Sequence, residues 1–347
     1  MNSGQAFRKE SSTSCDSMSL HFGDAAPDFA AQNTAAGPER PVHRWHVDPR
    51  TLGVALAIHA GFLTLMWMFN TIPLWIAATL GTLLLTWYGS LQHETIHGHP
   101  TPSRRINSLL GWLPLSLWIP YSIYRETHLR HHRHGGRHLT EAGRDPESFY
   151  LASATLASIG VVRRAIYRAN CTFVGRVVLG PAVAMIGLWG REAAKMRSGN
   201  SGRLIIWSRH AAGVALVLGY VVEVCHVPLA AYLGLIVYPS VALGLLRSFA
   251  EHRADPSPRR RTRVVEAGGL WSLIFLNNNL HIAHHAHPNV PWHELPRIWR
   301  QMRTAASDPT LVISGGYREV VHRFFLRPII SLECPVKESG ADEARGS

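Results

Sequence analysis

Charged residues are scarce in this 347-residue chain: they make up 17% of it, against 46% hydrophobic residues. Acidic residues are the scarcer sign, with 23 Asp plus Glu against 35 Lys plus Arg, a formal charge of +12. A basic chain can bind nucleic acid, but here the arginines lie beside long apolar runs. That pattern is typical of the basic cytoplasmic loops of a membrane protein. We therefore predict a membrane protein with no nucleic-acid partner.

Cysteine is also scarce, and its placement excludes several redox cofactors. No two of the four cysteines form a C-x-x-C pair; they are Cys15, Cys171, Cys225 and Cys334. This spacing assembles neither a zinc ribbon nor a cysteine-ligated iron–sulfur cluster. The sequence also lacks the glycine-rich fingerprint of a dinucleotide site. If the protein catalyses a redox reaction, its electrons must therefore come from another protein.

Long apolar runs, by contrast, are present. Four of them approach the roughly 17–25 residues that cross a bilayer; they cover residues 51–69, 72–88, 211–225 and 228–246. Only two residues separate the first run from the second, and again the third from the fourth, which predicts two helical hairpins. Neither connection contains Lys or Arg, as expected of the non-cytoplasmic side. A buried hairpin of a soluble protein is the alternative, and four such runs beside an arginine-rich remainder argue against it.

Histidine is concentrated, since 13 of the 21 histidines fall within residues 93–138 and 281–293. Three clusters have spacings of three or four residues, which place side chains on one face of an α-helix. The clusters are His93-Glu-Thr-Ile-His97, His128-Leu-Arg-His131-His132 and His281-Ile-Ala-His284-His285. Neutral imidazole is a common ligand of transition metals. Eight such ligands are too many for one ion and suit two.

A fifth apolar run, at residues 172–190, contains Arg176 and Pro181 and is followed by a basic stretch. If this run crossed the membrane, the basic stretch would lie outside, and the third histidine cluster would lie opposite the first two. We therefore predict an interfacial or re-entrant segment here, which leaves four spans. The sequence thus predicts an all-α integral membrane protein with two transmembrane hairpins and a cytoplasmic helical cap that carries the histidines.

Two other functions are compatible with parts of the pattern. The first cluster matches H-E-x-x-H, the zinc protease motif in which both histidines bind zinc and Glu94 is the general base. A membrane zinc metalloprotease leaves the two H-x-x-H-H clusters unexplained. A non-enzymatic metal transporter would place ionisable residues inside the spans. His59 is the one clear case in the first two runs.

Charged residues beside the clusters allow two interpretations. Five acidic residues either orient imidazole N–H groups or cap helices and pair with arginines; they are Glu94, Glu126, Asp145, Glu147 and Glu251. The arginine-rich residues 259–263 would bind nucleic acid in isolation. Beside a membrane span they instead predict a contact with lipid headgroups or with an acidic electron-donor protein.

The three clusters, their order and their placement around two hairpins resemble the membrane fatty acid desaturase family, over roughly residues 47–326. Acyl hydroxylases and carotenoid hydroxylases and ketolases are relatives of that family. The resemblance implies two iron ions, O₂ as co-substrate, and insertion of a C=C bond into an aliphatic chain. Hydroxylation or ketone formation within the same superfamily is the alternative. The electron donor would be ferredoxin-like or another external protein.

One further ligand usually comes from the cytoplasmic end of the fourth span in that family. Here the segment RSFAEHR occupies that place, and the resemblance implies His252 as the ligand. Some acyl-CoA desaturases have an asparagine one turn earlier. This chain has Ser248 at that place, and Asn277 and Asn278 are the candidates to take the role of that asparagine. The complete predicted ligand set is His93, His97, His128, His131, His132, His252, His281, His284 and His285. The residues predicted to orient these ligands are Glu94, Glu251 and Asn278.

The stretches HETIHGHPT, RSFAEHR and NNNLHIAHHAHP are most similar to bacterial desaturase-like proteins. That group includes dihydrorhizobitoxine desaturase, which makes the vinyl double bond of an amino-acid enol ether. The resemblance therefore implies a fatty acyl lipid or a small amino-acid-derived metabolite such as dihydrorhizobitoxine as substrate. It implies a bacterial cytoplasmic membrane, with the histidines facing the cytoplasm. We expect residues 1–46 to be a disordered cytoplasmic tail, 47–326 the membrane domain and 327–347 a second tail.

Overall fold

The computed structural model describes residues 47–304, 308–329 and 331–332, and regular structure in this part of the chain is almost entirely helical. The predicted tail at 1–46 and most of the tail at 327–347 lie outside the described residues. The helices are α1 (Pro49–Met68), α2 (Leu74–Ile96), α3 (Arg104–Trp112), α4 (Tyr121–His131), α5 (Ser153–Ser158), α6 (Val161–Ala169), α7 (Phe173–Arg197), α8 (Ser201–Leu218), α9 (Leu229–Ala231), α10 (Tyr238–Glu251), α11 (Leu270–Ile274), α12 (His281–Ala286), α13 (Leu295–Arg303) and α14 (Gly316–Phe324). One small parallel sheet pairs β1 (Val264–Val265) with β2 (Val312–Ile313).

Five helical segments of the described chain are long and apolar enough to cross a membrane; they are Pro49–Thr71, Leu74–Ile96, Phe173–Arg197, Ser201–Val224 and Leu229–Glu251. Four of them coincide with the predicted hairpins, and the additional one is α7. Their outer faces expose large apolar side chains, as a lipid-facing surface requires; examples are Leu56, Trp67, Trp75, Ile186, Leu204 and Leu216. The predicted membrane character of the protein is therefore confirmed.

Local sequence explains where the long helices begin. The Asp48 carboxylate accepts a hydrogen bond from the backbone N–H of Arg50 at 3.1 Å, and proline follows at the first helical position of α1. The Thr172 hydroxyl caps α7 and the Asn200 side chain caps α8 in the same way. Such caps satisfy N–H groups that lack a partner within the helix, each contributing on the order of 1 kcal/mol.

The two hairpins turn at the same end of the molecule. The Asn70 side-chain amide, between α1 and α2, donates to the carbonyl oxygen of Cys225 at 3.0 Å, between α8 and α9. The Tyr220 hydroxyl donates to Leu63 O at 2.7 Å and joins the same two hairpins. Between them lies the largest apolar core, which includes Ile58, Phe62, Met66, Leu85, Val221, Tyr232 and Ile236. The opposite end of the hairpins therefore carries the residues that follow α2 and α10.

The N-terminal end of α7 contacts that opposite, histidine-bearing end. The backbone N–H of Val174 donates to Phe325 O at 3.2 Å. The Arg176 guanidinium lies over the ring of Phe149 at 4.7 Å and over that of Phe249 at 5.1 Å. Phe249 is three residues before His252, so this end of α7 lies against the last turn of α10.

The C-terminal end of α7 contacts the same region. Trp189 donates its indole N–H to Trp118 O at 2.9 Å. Arg203, at the start of α8, pairs with Glu192 of α7 at 3.6 Å and with Glu126 of α4 at 2.7 Å. Both ends of this 25-residue helix are therefore attached to elements at the histidine-bearing end of the bundle.

Candidate metal centre

Four elements bring all nine predicted histidines together at one end of the bundle. Helix α2 carries His93 in its last turn, and His97 caps its C-terminus. Helix α4 carries the second cluster in its last turn, and α12 is built largely from the third. His252 caps the C-terminus of α10 in an extended conformation. Because these helices end at a common point, the imidazoles converge although their sequence positions span 193 residues, from 93 to 285.

The nine imidazoles form two groups whose potential ligand atoms each lie within 4.8 Å of one another. The first group has five members, which are His93, His97, His128, His132 and His284. The second has four members, which are His131, His252, His281 and His285. The outer two histidines of each H-x-x-H-H cluster join one group, and the middle histidine joins the other. The two clusters therefore interlock, and neither group can form without both.

Distances between ring nitrogens fit metal ligation. His97 Nε2 is 3.0 Å from His128 Nε2, and His284 Nε2 is 3.2 Å from His132 Nε2. In the second group, His281 Nε2 is 2.9 Å from His252 Nε2 and 3.0 Å from His285 Nε2. Two nitrogens bound to one ion at about 2.0–2.1 Å, at a right angle to each other, are separated by about 3 Å.

Several buried ring nitrogens have no hydrogen-bond partner among the described residues. They are His93 Nε2, His131 Nε2 and His252 Nδ1. An unpaired polar atom in the protein interior costs about 1–3 kcal/mol. Three such nitrogens at one point would therefore be unfavourable in a cluster that had only a structural role. A bound cation removes this cost at His93 and His131, because it accepts the lone pair of each Nε2 atom. The donor set and its geometry therefore fit metal ions in both groups.

Carboxylates hold two of the imidazoles in one tautomer. His131 donates its Nδ1–H to Asp145 at 2.9 Å, and His128 donates its Nδ1–H to Glu147 at 3.1 Å. Because an ionised carboxylate only accepts hydrogen bonds, the proton is on Nδ1 and the Nε2 lone pair faces the group. Asp145 is itself fixed by the backbone N–H of Thr140 at 2.8 Å. Asp145 and Glu147 thus act as orienting residues, one of the two roles that sequence alone left open for them.

Two of the three residues predicted to orient ligands also contact imidazoles. The Asn278 side-chain amide is 2.7 Å from His93 Nδ1. With its oxygen turned toward the ring, this amide accepts from Nδ1–H and leaves His93 Nε2 for a metal. The Glu251 carboxylate lies 3.3 Å from His281 Nδ1. Asn278 therefore holds a ligand of the first group, whereas Glu251 lies beside a ligand of the second group without a hydrogen bond to it.

Glu94, the third residue predicted to orient a ligand, is engaged elsewhere. Its Oε2 accepts a hydrogen bond from the backbone N–H of Trp292 at 3.1 Å. Its other oxygen is 3.9 Å from His93 Nδ1, too far for a hydrogen bond. Glu126 is likewise engaged outside the centre, in its ion pair with Arg203. Both carboxylates position neighbouring backbone or helices instead.

Electrostatics keep most of these imidazoles neutral, which is the form that binds metal. Burial, followed by the neighbouring histidines, holds the pKa values of His97, His132, His281, His284 and His285 well below the usual value. Burial likewise lowers the pKa of His252 to about 3. His131 is the exception: burial opposes its charge, but Glu147 and Asp145 outweigh burial and raise its pKa. Glu147 is also partly buried, yet His128 and His131 bring its pKa down to about 2.

A cavity of about 390 Å³ adjoins the centre, between α2, α7 and α10. Glu147 lines it and contacts His128 at the same time, and Tyr124 and Arg247 line it nearby. Much of the remaining wall is apolar and includes Leu85, Ile119, Val183, Leu188, Val241, Leu245 and Phe275. The volume lies at the lower end of the roughly 300–1,000 Å³ that is usual for small-molecule sites. The cavity is therefore suited to a small or slender aliphatic molecule next to the histidines.

The arginine-rich segment at 259–263 is less available to a partner than its sequence suggests. Arg261 is 1% exposed and donates to Arg137 O and to the Glu141 carboxylate, both at 2.8 Å. Arg260 pairs with Asp308 at 2.9 Å. Arg261 therefore stabilises the loop that follows the second histidine cluster and is excluded as a docking residue.

Comparison with known proteins agrees with this geometry. The family model described as fatty acid desaturase matches residues 69–315, more than two thirds of the chain and all nine histidines. Among the curated proteins, no sequence matches this chain. The membrane-type helices, the two histidine groups able to bind metal and the match to this family model together identify the protein as an oxidoreductase. The chain belongs to the fatty acid desaturase family.

Proposed function

We propose that this protein is a membrane di-iron desaturase that uses O₂ to convert an aliphatic C–H pair into a C=C bond. The observation that carries the proposal is the pair of interlocked histidine groups, five and four imidazoles, beside an apolar cavity. Imidazole suits iron, and the match to the fatty acid desaturase family favours iron over other metals. The nine histidines would hold the two ions.

The geometry favours this chemistry over a zinc protease. His93 and His97 share their group with three further imidazoles, whereas a protease site needs one further ligand and an open position. Glu94, the general base of a protease, accepts from the Trp292 backbone instead. A transporter is also disfavoured, because His59, the one ionisable residue that favoured it in the first two spans, is hydrogen-bonded to Ala55 O of its own helix at 2.7 Å.

The contacts of α7 support four spans rather than five. The ends of α2 and α10 both supply histidines to one centre, so an even number of crossings must separate them. Helices α8 and α10 provide two, and a crossing by α7 would make the number odd. Both ends of α7 contact the histidine-bearing end. We propose that α7 lies along the membrane surface, and that the histidines face the cytoplasm because residues 70–73 and 225–228, at the far end, contain no Lys or Arg.

This topology predicts the labelling of two exposed turn positions. In a protein whose native cysteines are replaced by serine, Ser198→Cys, between α7 and α8, should react with a membrane-impermeant maleimide only from the cytoplasmic side. Thr71→Cys, between α1 and α2, should react only from the opposite side and is the matched control. Labelling of both positions from the same side would refute the proposed arrangement.

The chain's own residues position the substrate and the ligands. Two iron ions bound in the groups would supply the redox chemistry that activates O₂ against an unactivated C–H bond. The apolar wall of the cavity holds an aliphatic chain away from water and against the histidines. Glu147 holds the Nδ1 proton of His128 and, with Asp145 and Glu251, offsets positive charge in a shell of neutral ligands.

The reaction needs an external reductant. In desaturation the substrate loses two hydrogen atoms, a donor supplies two electrons, and with two further protons one O₂ is reduced to two waters. We propose a ferredoxin-like or similar protein as donor, because the sequence has neither a dinucleotide fingerprint nor a cysteine-based cluster motif. The donor would approach the cytoplasmic face that carries the histidines.

Product analysis tests the proposed reaction. Extracts of cells that make the protein are compared, by mass spectrometry of lipids and small metabolites, with extracts of cells that make His131→Ala. We expect a compound lighter by two hydrogen atoms than its precursor, formed only by the unmodified protein and only with O₂ and a reductant. A product heavier by one oxygen atom would identify a hydroxylase instead. Turnover without O₂ consumption would overturn the proposal.

A further inference from the structure

One buried arginine lines the cavity with part of its hydrogen-bonding capacity unused. Arg176, on α7, is 5% exposed, and its Nε and Nη2 atoms have no acceptor among the described residues. Its guanidinium lies over the rings of Phe149 and Phe249. Nε–H and one Nη–H point in parallel on the same edge of a guanidinium. This is the fork that binds a carboxylate through two hydrogen bonds.

The charge of the cavity wall favours an anion. Three arginines, Arg176, Arg191 and Arg247, line it against one acidic residue, Glu147, which is already engaged with His128. Arg247 is paired with Glu251 at 3.7 Å. Arg176 is different, because no ion pair joins it to a carboxylate among the described residues. A buried charge without a partner is costly and is usually compensated by a bound counter-ion.

Gly180 lets Arg176 and Asn170 lie close together on this wall of the cavity. A Cβ atom added at Gly180 would lie 3.1 Å from Arg176 Cδ and 3.3 Å from Asn170 Oδ1. Asn170 is 6% exposed, and its Oδ1 also has no partner among the described residues. Its amide, turned over, offers an N–H toward the same space. Gly180, Asn170 and Arg176 therefore form one polar corner of the cavity.

We propose that the substrate carries a free carboxylate, which Arg176 binds through its Nε–H and Nη2–H, while the aliphatic part extends along the apolar wall toward the histidines. This inference rests on the proposed desaturase function and adds the substrate class. A carboxylate is favoured over a phosphate because it is planar and singly charged, which matches one guanidinium fork. A phosphate is more often held by several cations or backbone amides.

The location of Arg176 sets where oxidation occurs. Phe249, on which the guanidinium stacks, is three residues before His252, less than one turn of α10. Phe149, which the guanidinium also contacts, is two residues after Glu147. The carboxylate is therefore anchored on the wall of the cavity where α7 packs against α10, and the oxidised C–H pair lies where the aliphatic part reaches the histidines.

Binding measurements on the purified, iron-loaded protein in a non-ionic detergent test this inference. The probes are dodecanoate, its methyl ester and dodecyl phosphate, followed by isothermal titration calorimetry in the absence of reductant. We expect dodecanoate to bind more tightly than the other two probes. Arg176→Gln should weaken dodecanoate binding about ten- to a hundred-fold, as loss of a charge-assisted pair predicts, and should leave the weak binding of the ester unchanged.

Two further variants separate binding from folding. Arg176→Lys keeps the charge but loses the fork, so its affinity for dodecanoate should fall between those of the unmodified protein and Arg176→Gln. Arg105→Gln, an exposed arginine on α3 outside the cavity, is the control and should bind dodecanoate normally. Iron content and melting temperature of each variant show whether it is folded.

Equal binding of dodecanoate and its methyl ester by the unmodified protein would overturn the inference, even if Arg176→Gln did not fold. Tighter binding of dodecyl phosphate would overturn the carboxylate assignment. Because the titration needs neither O₂ nor reductant, these failures would leave the desaturase proposal standing. Absence of iron or of reductant-dependent O₂ uptake in the unmodified protein would instead refute the proposed function.

Discussion

The His284→Ala variant is expected to lose all detectable turnover and at least one of its two iron ions. His284 is 1% exposed and belongs to the five-membered group, whereas its neighbours on α12 belong to the four-membered group. Its ring lies 4.6 Å from that of His93, and its Nε2 faces His132 Nε2 at 3.2 Å. Removing it takes one ligand from the first ion, the one that α12 contributes to the five-membered group. The measurements are iron per chain by mass spectrometry and reductant-dependent O₂ uptake.

His210→Ala is the matched control for that variant. His210 is also a buried histidine, at 7% exposure, but it lies on α8 and is 2.9 Å from Leu117 O through its Nε2. Its replacement removes one hydrogen bond, at a cost of about 0.5–1.5 kcal/mol in the free energy of unfolding. Iron content and turnover should stay near those of the unmodified protein. Full activity of His284→Ala would contradict the ligand assignment.

The Asp145→Asn variant should bind iron about ten- to a hundred-fold more weakly while keeping the fold. Asp145 is 7% exposed and accepts the Nδ1–H of His131 at 2.9 Å, so its charge fixes the tautomer that presents Nε2 to the metal. Asparagine is nearly the same size but carries no charge and can present an N–H to the ring. Competition with a chelator of known affinity measures the change, and turnover should fall with iron occupancy.

Asp255→Asn is the control for the carboxylate effect. Asp255 pairs with Arg253 at 2.6 Å and with Arg260 at 3.5 Å, and it is engaged outside the histidine groups. Such ion pairs near the surface contribute about 1 kcal/mol or less to stability. Its iron affinity should equal that of the unmodified protein. If Asp145→Asn and Asp255→Asn behaved alike, the orienting role of Asp145 would be wrong.

The sequence predicts the histidines better than it predicts their partners. Spacings of three and four residues are local properties of a helix, so the clusters were recognisable from the chain alone. The division into two interlocked groups depends on how α4 and α12 face each other, which is a tertiary property. For this reason, only the structure shows that the middle histidine of each cluster, His131 or His284, belongs to the group that holds the outer histidines of the other cluster.

The same limit applies to the carboxylates and to α7. Glu94 was an attractive orienting residue because it follows His93 directly, but adjacent residues on a helix point in different directions. Asp145 and Glu147, 14 to 19 residues from their partners, take that role through the fold. Composition shows that α7 is apolar enough to span, and only its contacts at both ends indicate how it lies.

Metal content of the unmodified protein tests the central claim most directly. The protein is purified without added metal from cells grown with iron, and all transition metals are quantified per chain by inductively coupled plasma mass spectrometry. Two groups of five and four imidazoles predict two iron ions per chain. One zinc ion per chain, or no stoichiometric transition metal at all, would contradict the account.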